Sequence, residues 1–150
     1  MRPSLPLALI LLAQALLLFT VPDLLPVWTD ELFTLQTIPR PLVEIVPVLQ
    51  RDIHPPLYYF LLHWWPWRSL AGLRVVSGLW ALVATLLLDR FWTSRWRPWR
   101  RWLALALFAF SPCLLLYGRM ARSYSMQAAL AVAVVAGLWR WTRRGEGWRS

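Results

Sequence analysis

The sequence predicts an all-α integral membrane protein, with about four transmembrane helices and short interfacial helices in a long first extracytoplasmic loop. Three observations carry this. Hydrophobic residues make up 59% of the 150, well above the roughly 45–50% of soluble domains. Four stretches, 4–21, 71–88, 102–117 and 125–141, are predominantly apolar and approach the about 20 residues that cross a hydrocarbon core. The formal charge of +9 comes from arginine alone and is clustered at the ends of these stretches, as Arg90, Arg95, Arg97, Arg100 and Arg101, then Arg140, Arg143, Arg144 and Arg149. The positive-inside rule places both clusters, with Arg2, on the cytoplasmic side.

The first stretch, 4–21, is uncharged and follows Arg2. A cleaved signal would end in a small-residue pattern, and Phe19-Thr20-Val21-Pro22 is not one, so an uncleaved span is expected. Residues 22–68 form the loop, cut by prolines at 22, 26, 39, 41, 47, 55 and 56. Within it Thr29 is a good N-cap for a helix whose first turn holds Asp30 and Glu31 and whose Leu32, Phe33, Leu35 and Ile38 give an apolar side. A second short helix is expected over Leu42–Arg51, and both suit a membrane surface.

Leu57 to Trp67 is apolar, but its 11 residues would make a helix of only about 16 Å against a core of about 30 Å. His63, Trp64, Trp65 and Pro66 fit the interfacial zone, so an interfacial or re-entrant segment is expected. The charges agree. Were this segment to cross, the five-arginine loop would lie outside. Four spans with both termini inside is the consistent count, giving one membrane domain over residues 1–150 in the cell (inner or plasma) membrane.

Nucleic acid is excluded as a partner, because the arginines sit at span ends rather than along one polar face. Cys113 is the sole cysteine, so no internal disulfide forms. The loop from Trp28 to Pro56 holds Asp30, Glu31, Glu44 and Asp52, four of the seven acids in the chain. Adjacent carboxylates beside a bilayer point to chemistry. The topology brings them to the same side as the hairpin Gly118–Tyr124, where Arg119 and Arg122, three apart, share a face if helical.

The order TDELFT, DIHPPLYYFLLH, LRVVSGLWAL and SPCLLLYGRMARSYSM resembles the opening of the GT-C membrane glycosyltransferases, the superfamily of protein O-mannosyltransferases and lipid A aminoarabinose transferase. The matching pieces are Asp30-Glu31, His54 to Tyr59, Ser111-Pro112 and Ala121-Arg122-Ser123-Tyr124-Ser125. The resemblance implies transfer of a sugar from a polyprenyl-phosphate donor to an acceptor on the extracytoplasmic side. It assigns catalysis to Asp30, as base, and Glu31, and substrate binding to His54, Tyr58, Arg119, Arg122 and Tyr124. Arginine suits a lipid phosphate because it binds bidentately and keeps its proton, and Arg122, the arginine of the matched turn, is expected to outrank Arg119.

Membrane lipids are expected partners, and no nucleotide or redox cofactor is implied. A divalent metal stays open, because many relatives carry an acid where this chain has Met120. Family enzymes are several times longer, so the resemblance implies the amino-terminal part of a larger fold, completed by a C-terminal portion or a partner subunit. Each assignment has a plainer reading. Asp30 and Glu31 also complement a helix dipole. His54 could merely precede a helix starting at Pro55, and the arginines could snorkel from span ends. His63 reads as interfacial packing and most tryptophans as belt residues. The alternative function is a small non-catalytic membrane protein that binds lipid phosphate or assembles with a partner.

Overall fold

The structure, a computed structural model, describes residues 4–20, 26–51 and 55–146. Every regular element among them is helical: α1 (Leu5–Phe19), α2 (Thr29–Thr37), α3 (Leu42–Gln50), α4 (Pro56–His63), α5 (Leu70–Leu88), a π-helical turn (Asp89–Thr93), α6 (Pro98–Ala109), α7 (Pro112–Gly118) and α8 (Tyr124–Glu146).

Side-chain contacts give these helices their directions. Gln14 Oε1 of α1 accepts from Thr85 Oγ1 of α5 at 3.0 Å, whereas Phe19 meets Gly78. α1 and α5 therefore run antiparallel. Arg101, in the first turns of α6, bonds Asp89 just past the end of α5, and Gly118 at the end of α7 abuts Leu18. The pair α6–α7 thus returns alongside α1. α8 starts beside Ser77, which accepts from Ser125 Oγ at 2.8 Å through its carbonyl, and ends where Trp139 packs on Trp92. The chain makes four helical passes, with α1, α6–α7 and α8 packed around α5, and α2, α3 and α4 are gathered over the end where α5 and α8 begin.

That cap has an apolar interior of Ile38, Ile45, Leu49, Tyr58, Tyr59 and Leu62, packed on Leu73 and Val76 of α5 and Met126 of α8. A smaller cluster of Leu18, Ala81 and Leu114 joins the passes at mid-height. Outside, large apolar side chains stand exposed along all four passes, among them Leu9, Leu12 and Leu16, Leu79 and Leu86, Leu103 and Leu107, Val134 and Leu138. Exposed tryptophans lie at the two ends, Trp28, Trp64 and Trp67 near the cap and Trp96, Trp99, Trp139 and Trp141 opposite.

By length and composition one helix could cross a membrane, Leu70–Thr93, or two if the bent pair α6–α7 is one span; α1 is apolar but shorter. The expected run 102–117 is not one straight helix. It breaks at Ser111-Pro112 with a bend of 49°, because Pro112 has no N–H to continue the ladder and its ring disfavours a helical residue before it. Ser111 instead caps the new helix, accepting from Leu114 N–H at 3.3 Å. Thr29, expected as a cap, is the first helical residue; Trp28 is the N-cap, and its N–H is taken by the Glu31 carboxylate at 3.2 Å. The apolar stretch 57–67 yields only the 8-residue α4 before the chain turns.

Candidate functional site

A polar node lies where α2 crosses the turn between α7 and α8. Glu31, with no exposed surface, accepts from Arg74 Nε at 2.9 Å and Nη2 at 2.7 Å, from Ala121 N–H at 2.8 Å and from Trp28 N–H. Burial pushes its carboxyl upward, but the Arg74 hydrogen bond, the two backbone donors and the arginine's charge outweigh that and hold it below the usual range. Four donors on one carboxylate leave it little capacity for anything else.

The same turn is pinned from other directions. Thr34 Oγ1 donates to Ala121 O at 3.0 Å, Ser77 Oγ to Arg122 O at 3.1 Å, and Tyr58 Oη lies 2.7 Å from Ser77 Oγ. With Ser77 Oγ donating to Arg122, Tyr58 is the donor in that last pair. Tyr58 is wholly buried, and burial pushes its phenol up. It is a strut of the core, not a group facing outward.

Arg122 is 3% exposed. Its Nη1 donates to Tyr59 Oη at 2.9 Å and to Asp30 O at 3.2 Å, its Nη2 stands 3.8 Å from Asp30 Oδ2, and its guanidinium lies 5.9 Å from the Phe33 ring centroid. Asp30 by contrast keeps 49% of its side chain exposed. The node therefore holds one open carboxylate beside a fixed guanidinium, above a closed ion pair that sets the backbone of both.

Arg119 and Arg122 do not share a helical face. The segment 119–123 is a turn, and Arg119, half-buried, reaches the Thr20 carbonyl at 3.4 Å, at the end of α1. Tyr124 stacks obliquely on Tyr117 with centroids 4.7 Å apart, beside a 220 Å³ cavity that Ser111 and Cys113 also line. His54 lies outside the described residues, as does Asp52. Among the described residues no three of His, Cys, Asp and Glu cluster as metal ligands.

Sequence reasoning gave no role to Arg74, Tyr59, Ser77 or Thr34. Arg74 carried a signal all the same: a charge inside an apolar run needs a buried partner. No family model, curated protein or solved structure matches the chain.

Proposed function

We propose that the chain is a membrane-embedded glycosyl-transfer module of the GT-C kind, taking a sugar from a polyprenyl-phosphate donor at its capped, extracytoplasmic end. The observation that carries the proposal is Asp30, half open to solvent 3.8 Å from a buried, hydrogen-bonded Arg122. The membrane part draws support from exposed aliphatic side chains along the passes, and from tryptophans and arginines gathered at the ends. On this reading α1, α5, α6–α7 and α8 are the four spans, and α2–α4 lie at the interface.

Asp30 accepts the proton of an acceptor hydroxyl as its oxygen attacks the anomeric carbon. The bond from that carbon to the phosphate oxygen breaks, and polyprenyl phosphate leaves. Glu31 is a positioning residue that fixes α2 against Ala121 and Arg74. Arg122 aims Asp30, and its burial gives Arg119, the more open arginine, the larger part in meeting the departing phosphate. Tyr124 lines the cavity described above together with Ser111, at the break between α6 and α7.

Solubilised and supplied with a polyprenyl-phosphate-linked sugar, the protein is expected to bind the donor, and Asp30→Asn to bind it equally. Release of polyprenyl phosphate, to an acceptor or to water, should fall in that variant by about 10²–10⁴-fold. Undiminished release in Asp30→Asn would take the base role from Asp30; failure of the wild type to bind the donor would remove the reading. The burial of Arg122 also favours the other reading, a non-catalytic membrane protein that holds a partner or a lipid phosphate, and for that protein the donor binds without turnover.

A further inference from the structure

At the end opposite the cap, the π-helical turn, the residues after it and the last turns of α8 border an open cavity of about 730 Å³, lined by Arg90, Arg95, Arg140 and Arg143 among aromatic rings. Its walls are tied together. Trp92 and Trp139 pack with centroids 6.4 Å apart, and Arg140 lies 4.6 Å from the centre of the Phe91 ring. Asp89, the acid beside it, is buried and held by Arg101 through two bonds of 2.7 and 2.9 Å. Among the described residues up to Arg143, no carboxylate forms an ion pair with any of the four lining arginines. All four are exposed.

We infer that this cavity binds the headgroup of an anionic phospholipid bearing two phosphodiester groups, in the leaflet at the arginine-rich end. The inference rests on the membrane reading above, and concerns the face away from the proposed transfer site. Four guanidiniums around one cavity would leave most of their charge unmatched by a single phosphodiester, whereas two phosphates on one headgroup fit two bidentate pairs. The volume lies within the about 300–1,000 Å³ of ligand pockets. Exposed Leu86, Leu138 and Val134 stand on the adjoining turns of α5 and α8, where acyl chains would run. Tryptophans at headgroup depth and a basic pocket between helices are the features by which such lipids are held.

The test is native mass spectrometry of the full chain released from detergent with diphosphatidylglycerol, phosphatidylglycerol or phosphatidylcholine, alongside carbonate extraction of the membranes that contain it. Diphosphatidylglycerol should be retained preferentially. The double variant Arg95→Gln, Arg143→Gln should lose that retention by about tenfold or more, while Arg51→Gln, exposed at the cap end, should not. Equal retention of the one- and two-phosphate lipids, or unchanged retention in the double variant, overturns the inference. Displacement of the lipid by an equal concentration of pyrophosphate would make the site one for soluble anions and overturn it too. Protein that resists carbonate yet shows no lipid preference defeats this inference alone, whereas protein extracted by carbonate defeats the membrane reading and this inference with it.

Discussion

Asp30 and Glu31 are neighbours in sequence with opposite environments, because successive residues of a helix point about 100° apart. One turns to solvent beside Arg122, and the other turns inward to Arg74. A buried pair is costly to break, since the partner left behind keeps its charge without water: Glu31→Gln or Arg74→Met should each destabilise by about 3–5 kcal/mol. Replacing both by apolar residues should cost less than the sum of the two. Thermal unfolding of the solubilised protein reads this directly, and strictly additive losses would show that the pair does not couple. The depressed carboxyl of Glu31 also fixes a pH dependence. Its contribution is present above the ordinary glutamate value of about 4.3 and is lost as pH falls through the lower folded value, so acid should loosen the cap. Glu31→Gln should flatten that acid limb; an unchanged acid limb in the variant would assign it to other groups.

At the scale of elements, close approach decides where small residues are required. A Cβ on Gly118 would come 2.7 Å from Leu18 Cδ2 and 3.2 Å from Ala81 Cβ, whereas one on Gly137 meets nothing within 4 Å. Gly118→Val should therefore push α1 from α7 and destabilise by about 1–3 kcal/mol. Gly137→Ala should be neutral or stabilise by up to about 1 kcal/mol through helix propensity. Unfolding midpoints of the two variants moving together would contradict this packing of α1 against α7. The helices themselves were legible in the sequence because apolar runs and prolines mark them, and the shortness of α4 followed from its length alone. The break in 102–117 was also visible as Ser111-Pro112, but hydropathy, which averages over a window, passes across it. The node was less legible. Glu31 meets a partner 43 positions away and a backbone N–H 90 positions away, and neither pairing leaves a local periodicity to read. Hence Asp30 and Glu31 could be picked out together, but not separated into an open group and a closed one.

At the scale of the whole molecule, the Glu31–Asp30–Arg122 node and the arginine-lined cavity occupy opposite ends of α5. Its 19 residues rise about 28 Å at about 1.5 Å each, close to the about 30 Å of a hydrocarbon core. Glu31, Asp30 and Arg122 sit at its beginning; the π-helical turn and the arginines of α6 and α8 sit past its end. If the four passes are spans, one end faces outside and the other the cytoplasm. The most direct measurement is cysteine labelling in intact cells with an impermeant thiol reagent, in a Cys113→Ser background, since Cys113 is exposed. Gln36→Cys on α2 and Ser94→Cys beyond the π-helical turn are both at exposed positions. Gln36→Cys should react from outside and Ser94→Cys only after permeabilisation; labelling of both, or of Ser94→Cys alone, in intact cells would contradict the account.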